Sequence, residues 1–130
     1  MRKQYHFRRA EPGLMAWDVD RLVRLTKDFP RFHVALSSIR ELDEPFWFGE
    51  GAVPTCRAFV EHARMIQEAD LGFSIILSSD GRVMDGMHRV AKAALLNRPT
   101  IQAVQFTNDP EPDYVGVHPD ALPYDEPPER

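Results

Sequence analysis

The fold is decided by residues 74–106, which read SIILSSDGRVMDGMHRVAKAALLNRPTIQAVQF. Ser74–Ser78 is short, apolar and contains β-branched residues, which is typical of a buried strand. Ser79–Gly81 predicts a tight turn, with glycine at the position that needs a positive φ. Arg82–Met84 predicts a short returning strand. We therefore expect this part of the chain to form a β-hairpin.

A helix and a further strand are predicted after the hairpin. Asp85-Gly86 interrupts the returning strand, and apolar residues recur at helical spacing from Met87 to Asn97. Asn97 tolerates the left-handed conformation that ends many helices, and Pro99 cannot continue one. Thr100–Phe106 alternates with a period of two, as expected of a strand with two distinct faces. One face consists of Ile101, Ala103 and Gln105, and the other of Gln102, Val104 and Phe106.

The junction between hairpin and helix has the features of an anion site. Gly86 lets the backbone approach a ligand without an intervening side chain. The first N–H groups of a helix have no partner within it, and the helix dipole favours an anion there. Arg89 adds a planar guanidinium suited to phosphate or carboxylate, and a charged hydrogen bond contributes about 1.5–3 kcal/mol. His88 lies in the same turn.

Asp85 leaves several interpretations of this junction open. Its carboxylate could cap the helix, hold a metal ion or hold a hydroxyl group, but its charge disfavours an unassisted anion. A purely structural interpretation is that Asp85 is only a cap, that Arg89 only pairs with Asp85 or Asp80, and that Gly86 only serves the turn.

The sequence Asp85-Gly86-Met87-His88-Arg89, placed between a hairpin and an alanine-rich helix, resembles the ParB/sulfiredoxin superfamily. The resemblance covers residues 74–106 well and residues 34–106 loosely. In that superfamily this junction is the nucleotide-phosphate site. The resemblance therefore implies that Asp85, Gly86, Met87, His88 and Arg89 bind the ligand. It also implies a single α+β domain, a small mixed sheet with flanking helices, and ATP, ADP or CTP with Mg²⁺ as cofactors.

Met87 separates this chain from the sulfiredoxins. Those proteins carry Gly-Gly-Cys-His-Arg with a nucleophilic cysteine, and a thioether cannot replace a thiolate in that role. Sulfiredoxin activity is therefore not expected. A free serine kinase of the superfamily carries the more similar Asp-Gly-His-His-Arg. Partition ParB proteins bind CTP through Gly-Glu-Arg-Arg and continue into a helix-turn-helix domain, which we do not expect here.

Candidate catalytic groups precede this stretch. A strand is predicted within Phe32–Ile39, and the acidic segment that follows it fits the order of elements in the superfamily. Phosphoryl transfer needs a base and a metal carboxylate near the phosphate. Glu41 and Glu44 are the leading candidates, with Asp43 and Glu50 beside them. The loop Pro45–Pro54 carries three aromatic residues that either cover the core or stack on a nucleotide base, namely Phe46, Trp47 and Phe48.

Two more helices are predicted, at Trp17–Phe29 and at Cys56–Ala69, the second with Thr55 as its N-cap. Their expected buried stripes are Val19, Leu22, Val23 and Leu25 in the first helix, and Phe59, Val60, Ala63 and Ile66 in the second. We expect His62 to be a partly buried, hydrogen-bonded histidine and Cys56 to be a small buried residue. His33, His62 and His88 lack metal-ligand spacing, so no metal site is expected.

The composition narrows the classes of function. The chain has 130 residues, of which 43% are hydrophobic and 28% charged, as in one ordinary globular domain. A formal net charge of -4 argues against direct nucleic-acid binding. The single cysteine excludes an internal disulfide and indicates a reducing cytoplasm. No apolar run approaches the roughly 18 residues of a membrane span. A cytoplasmic protein without membrane contact is therefore expected.

The two ends of the chain differ from its centre. Met1–Arg9 is basic and aromatic and predicts an arm that packs its rings, the alternative being an electrostatic arm for nucleic acid or an acidic partner. Residues 1–107 are assigned to the ParB/sulfiredoxin-like domain. Residues 108–130 are assigned to a proline-rich acidic tail, because they hold six of the eleven prolines. Tyr114–Val117 is the part of this tail expected to contact the domain.

The leading functional hypothesis is a ParB-like protein that binds a nucleotide or a phosphorylated small molecule at Asp85–Arg89, with phosphotransferase or NTPase activity as its extension. The alternative is a non-catalytic protein-interaction module that acts with a DNA-associated partner. Nuclease action is less well supported, since no cluster of metal-binding carboxylates has convincing spacing.

Overall fold

The computed structural model describes residues 3–10, 13–49 and 51–124. The strands are β1 Tyr5–Ala10, β2 Gly13–Asp18, β3 Phe32–Ala35, β4 Ile75–Leu77, β5 Val83–Asp85, β6 Thr100–Gln105 and β7 Tyr114–Val115. The helices are α1 Val19–Thr26, α2 Cys56–Glu68 and α3 Met87–Leu95, with 3₁₀ turns at Leu36–Ser38, Arg40–Asp43 and Pro119–Ala121. The predicted α+β class is confirmed.

A four-stranded mixed sheet in the order β3-β6-β4-β5 contains the hairpin and the strand predicted from residues 74–106. β4 and β5 are antiparallel, whereas β6 runs parallel to β4 and antiparallel to β3. The parallel pairing requires a crossover, which α3 supplies. A second sheet has the order β1-β2-β7 and is antiparallel throughout.

The alternation predicted for β6 is confirmed by the core, which lies on both faces of the mixed sheet. Ile101 and Ala103 belong to one apolar cluster, together with Val90 of α3. Val104 and Phe106 belong to a second cluster that also contains Trp17, Leu22, Ile76 and Met84. The sheet is therefore covered by α3 on one side and by α1 with the end of β2 on the other.

The N-terminal region differs from its prediction. Tyr5–Ala10 and Gly13–Asp18 form a hairpin rather than an arm followed by a helix. Trp17 is a buried residue of β2 rather than part of the helix. The helix begins only at Val19, because the Asp18 carboxylate caps it by accepting a hydrogen bond from the Asp20 amide. In the predicted stripe of α1, Leu22 is buried, while Val23 and Leu25 are exposed.

The helix α2 has the predicted bounds and cap, since the Thr55 side chain accepts a hydrogen bond from the Ala58 amide. Its buried stripe was predicted wrongly, because Phe59 and Val60 are each 56% exposed and no residue of this helix is fully buried. Cys56 is likewise exposed rather than buried. The helix contacts the rest of the protein mainly through Ala58, His62 and Ile66, which are half-buried. Of the predicted stripe, only Ile66 lies on this side, whereas Phe59, Val60 and Ala63 are exposed.

Residues 109–124 lie against the N-terminal hairpin. Tyr114–Val115 pairs with β2, and the Trp17 indole donates a hydrogen bond to the Pro110 carbonyl at 2.8 Å. The contact expected of Tyr114–Val117 is thus present in β7. Within the part of the chain that the structure describes, every helix is too short or too polar to cross a membrane.

Candidate functional site

The hairpin β4–β5 brings the predicted ligand-binding residues to the start of α3. Gly81 takes the positive φ of 84° that its turn requires, as predicted. The strand register shifts between Ile76 and Leu77, so β5 is irregularly paired as it approaches the helix. The backbone N–H of Val83 is satisfied by a side chain instead, since it donates a 2.6 Å hydrogen bond to the Glu41 carboxylate.

Gly86 is the N-cap of α3 and has a left-handed backbone, with φ of 106°. A Cβ atom at this position would lie 2.7 Å from Ile75 Cγ2 and 2.8 Å from Arg89 Nη2, so no other residue fits without displacement. No side chain caps the helix, which excludes the capping role considered for Asp85. The first N–H groups of α3 therefore have no acceptor within the helix or from a capping side chain.

Arg89 is folded back over Gly86 rather than extended into solvent. Its Nη2 donates to Asp85 Oδ2 at 3.0 Å and to the Ser74 carbonyl at 3.4 Å. The ion pair between Arg89 and Asp85, which was predicted as the purely structural alternative to ligand binding, is therefore present. This ion pair also compensates the Asp85 charge, which alone would disfavour an anion. Arg89 Nε is buried and has no hydrogen-bond partner among the described residues.

A cleft of about 670 Å³ opens over this junction, within the range of small-molecule sites. Its walls come from β1, the aromatic loop, the end of α2 and the start of α3. Its lining residues include Tyr5, His6, Phe46, Trp47, Glu68 and the five residues Asp85–Arg89. The structure thus brings all five predicted ligand-binding residues to one cleft.

Trp47 lies against two histidines at the edge of this cleft. Its ring is nearly parallel to those of His62 and His88, with centroid distances of 4.4 Å and 4.6 Å. The two imidazoles share a 2.9 Å hydrogen bond between His62 Nδ1 and His88 Nε2. His62 is therefore partly buried and hydrogen-bonded, as predicted. Its contact with His88 joins residues 26 positions apart, and no local pattern in the sequence predicts it.

Both histidines of this pair favour the neutral form. Burial lowers the pKa of His88, and the neighbouring His62 and Arg89 lower it further. Burial also lowers the pKa of His62. In a neutral pair one ring nitrogen donates and the other accepts, so the pair is able to take up or pass on a proton.

His6 lines the cleft, although the sequence predicts it only as part of a basic arm. Burial lowers its pKa to about 4, Arg8 adds to this effect, and Asp109 opposes it. Its ring packs on Trp17 with centroids 5.6 Å apart. His6 Nε2 is buried without a hydrogen-bond partner among the described residues. Alternation of residues along β1 is the sequence signal that could have placed His6 in a strand beside the cleft, but Arg8 and Arg9 obscure it.

The predicted catalytic carboxylates lie elsewhere. Glu41 is 3% exposed and holds the Val83 amide, and Glu44 forms a two-oxygen contact with Arg82 at 2.7 and 2.8 Å. Neither lines the cleft, whose acidic residues are Asp85 and Glu68. Asp43 is exposed on the same 3₁₀ turn as Glu41, and Glu50 lies outside the described residues.

The described residues contain no group of three or more His, Cys, Asp or Glu side chains that could hold a metal ion. A single carboxylate still fits Mg²⁺ when phosphate oxygens and water complete the coordination, and Asp85 is the residue at the junction with that chemistry.

No protein-family model, no curated protein and no solved structure matches this chain. The resemblance to the ParB/sulfiredoxin superfamily therefore stays a prediction, supported by the motif and by the order of hairpin, helix and strand around it.

Proposed function

We propose that this protein is of the ParB/sulfiredoxin type and that its cleft binds the phosphate groups of a nucleotide or a phosphorylated small molecule. One observation carries the proposal: a cleft of about 670 Å³ opens onto a helix start that has glycine at its cap and no capping side chain. Such a start offers backbone N–H groups and a favourable dipole to an anion.

The residues around the helix start fit that ligand. Arg89 supplies a positive charge beside Gly86, and its pairing with Asp85 leaves the junction without excess negative charge. Phosphate oxygens would accept hydrogen bonds from the first N–H groups of α3. When bound, Mg²⁺ supplies charge neutralisation at the phosphates, and Asp85 is the side chain that would hold it. ATP, ADP and CTP are the proposed ligands.

The aromatic residues of the cleft fit the rest of a nucleotide. Phe46 is exposed and Tyr5 is half-buried, and both line the cleft. Either ring offers a face on which a base stacks. One face of Trp47 is already occupied by the two histidines, so Trp47 supports the wall of the cleft.

Phosphotransferase or NTPase chemistry is the catalytic extension of this proposal. The base would be His88, which lines the cleft in its neutral form and is hydrogen-bonded to His62. A neutral imidazole is able to accept a proton from an attacking hydroxyl or water. His62 would then stabilise the protonated ring as a positioning residue.

Calorimetric titration with ATP, ADP, CTP and inorganic phosphate, each with and without Mg²⁺, tests the binding. We expect at least one nucleotide to bind, and Arg89→Ala to weaken it about 10- to 150-fold, as expected from losing one charged hydrogen bond. Arg24→Ala removes an exposed arginine of α1 outside the cleft and is the matched control. Thermal unfolding of both variants verifies that they are folded.

If neither nucleotides nor phosphate bind, the proposal is wrong, and the non-catalytic interaction module becomes the better hypothesis. If a nucleotide binds but is neither hydrolysed nor used as a phosphoryl donor, the binding function remains and the catalytic extension fails. Equal loss of binding in Arg89→Ala and Arg24→Ala would place the ligand outside the cleft.

A further inference from the structure

The end of α2 forms one wall of the cleft. Met65, Glu68 and Ala69 line it, and residues with this spacing are neighbours on the surface of a helix. Glu68 is the charged residue among the three, and its side chain is exposed rather than packed. The wall therefore presents a carboxylate beside apolar side chains, in the same cleft as Arg89.

This end of α2 is fixed to α3, the helix whose start is the proposed phosphate site. Lys92 Nζ donates hydrogen bonds to the Gln67 carbonyl at 2.9 Å and to the Ala69 carbonyl at 2.6 Å, on either side of Glu68. Lys92 follows Arg89 by three residues, which is about 4.5 Å along α3. The position of Glu68 relative to α3 is therefore set by direct contacts between the two helices.

No cationic side chain pairs with Glu68 in the part of the chain that the structure describes. Arg64 precedes it by four residues, a spacing at which helical ion pairs form, but Arg64 Nη1 contacts Glu61 Oε1 at 3.3 Å instead. Asp85, which also lines the cleft, is compensated by Arg89 at 3.0 Å. Glu68 thus gives the cleft a negative charge that no described side chain balances.

The position of this charge within the helix is also unfavourable. The C-terminal end of a helix carries a partial negative charge, so it repels a carboxylate and favours a cation. Glu68 is the last residue of α2, and the last turn contains no basic residue. A residue that opposes such a local preference without a compensating contact is expected at a functional site.

An anionic ligand is repelled by Glu68 unless it presents hydrogen-bond donors there. An ionised carboxylate only accepts hydrogen bonds, and the sugar of a ribonucleotide has two adjacent hydroxyl groups that donate. We propose that the Glu68 carboxylate accepts hydrogen bonds from both hydroxyl groups of a ribose, so that the cleft selects ribonucleotides over deoxyribonucleotides. An acidic side chain has this role toward the ribose in dinucleotide-binding α/β folds. The inference rests on the proposed function and specifies the sugar of its ligand.

This assignment gives each part of a ribonucleotide its own part of the cleft. The phosphates lie at the start of α3, the sugar lies at the end of α2, and the base stacks on Phe46 or Tyr5. Met65 is 46% exposed and offers apolar surface beside the sugar. Inorganic phosphate lacks the hydroxyl donors of a sugar, so Glu68 only repels it.

Calorimetric titration with ATP, CTP and their deoxy forms, at one Mg²⁺ concentration, measures the preference for the sugar. A ribonucleotide and its deoxy form have the same charge, so the ratio of their Kd values is independent of the repulsion between Glu68 and the phosphates. We expect the wild type to bind the ribonucleotide about 10-fold more tightly, the lower limit for one charged hydrogen bond, because Glu68 is exposed to water. In Glu68→Ala the two affinities should be equal.

Glu61→Ala is the matched control. Glu61 is an exposed residue on the same flank of α2, seven residues earlier, about 10 Å along the helix and outside the cleft. This variant should keep the wild-type preference. Thermal unfolding verifies that both variants are folded, and Glu68→Ala removes no ion pair or hydrogen bond of the described chain.

Inorganic phosphate separates the hydrogen bonds from the charge. Glu68→Ala should bind phosphate as tightly as the wild type or more tightly, because the repulsion is removed. Equal affinity of the wild type for a ribonucleotide and its deoxy form, or a preference that Glu68→Ala retains, would overturn this inference and leave the phosphate-binding function intact. A wild type that binds neither nucleotides nor phosphate contradicts the proposed function, and the inference fails with it.

Discussion

Gly86 shows how one residue determines the geometry of the candidate site. Its left-handed backbone turns the chain from β5 into α3, and its missing side chain leaves room for the Arg89 guanidinium and for Ile75. The sequence predicted the need for glycine here, because Asp-Gly ends a strand and a helix begins directly after it. The close approach of Arg89 was not predictable, since it depends on a rotamer selected by Asp85 and Ser74.

Gly86→Ala and Gly81→Ala separate steric crowding from backbone strain. Both glycines have positive φ, but a Cβ at Gly81 would meet nothing within 4 Å, whereas one at Gly86 would crowd two side chains. We expect Gly81→Ala to lower the free energy of unfolding by about 1 kcal/mol and Gly86→Ala by about 2–4 kcal/mol. Urea denaturation measures both. Equal losses would show that Arg89 and Ile75 move aside without cost.

His6 predicts a pH dependence of stability. Its pKa is about 4 in the folded protein, against an ordinary value of 6.5, so the unfolded chain binds the proton first. The contribution of neutral His6 to the free energy of unfolding is fully present above pH 6.5 and is lost as the pH falls toward 4. The loss is at most about 3 kcal/mol. The charged groups that act on His6 are Arg8, which favours the neutral ring, and Asp109, which opposes it.

His6→Phe keeps a ring against Trp17 and removes the titration. We expect urea denaturation at pH 7 to give the variant a stability equal to that of the wild type or higher. At pH 4 the variant should be more stable than the wild type. Parallel pH profiles for the two proteins would mean that His6 accepts its proton in the folded state, which contradicts the burial of its ring.

Among the helices and strands, the sequence predicted those whose signals lie within a few neighbouring residues. The hairpin β4–β5, α3, β6 and the bounds of α2 follow from turn residues, periodicity and caps within a few positions. The N-terminal hairpin was missed because charges at Arg8 and Arg9 interrupt the pattern of β1, although both of its strands have six residues. The buried side of α2 is displaced from the predicted stripe toward Ala58 and His62 and shares only Ile66 with it. Apolar residues occupy a wide sector of this helix, so periodicity alone does not reveal which part of the sector meets the core.

Glu41 joins two elements of the fold. It lies on the 3₁₀ turn Arg40–Asp43 and accepts a hydrogen bond from the amide of Val83 in β5, in a nearly dry environment. The sequence offered Glu41 and Glu44 equally as catalytic candidates, because both lie in one acidic run. Only the fold distinguishes them, by burying the first and exposing the second.

Glu41→Ala should therefore lower the free energy of unfolding by about 2–3 kcal/mol, because it leaves a buried N–H group without an acceptor. Glu44→Ala removes an exposed pairing with Arg82 and should cost less than about 1 kcal/mol. Chemical denaturation gives both values. Nucleotide binding by folded Glu41→Ala should equal that of the wild type, and a selective loss of turnover at unchanged stability would restore Glu41 as a base.

At the scale of the whole molecule, the two sheets are joined by residues that the sequence assigns to a tail. Asp109 accepts a 2.7 Å hydrogen bond from the Ser79 amide at the tip of the hairpin β4–β5 and pairs with Arg8 of β1 at 3.3 Å. Asp113 accepts a 2.8 Å hydrogen bond from the Asp18 amide at the end of β2. Proline content and charge indicated an extended segment, but they contain no information about where it lies.

The cleft depends on this connection, since β1 forms one wall and the start of α3 forms another. Asp109→Ala removes contacts to both sheets at once, and we expect it to lower the free energy of unfolding by about 1–3 kcal/mol. Asp120→Ala is the matched control, because the Asp120 side chain is 94% exposed and its substitution should change stability by less than about 0.5 kcal/mol.

Amide hydrogen exchange adds a local measurement to the denaturation curves. In Asp109→Ala, exchange should accelerate in β1 and at Ser79, while β6 remains protected, because its pairing with β3 and β4 is untouched. Uniform acceleration across both sheets would show instead that they unfold as one unit and that Asp109 stabilises the entire core.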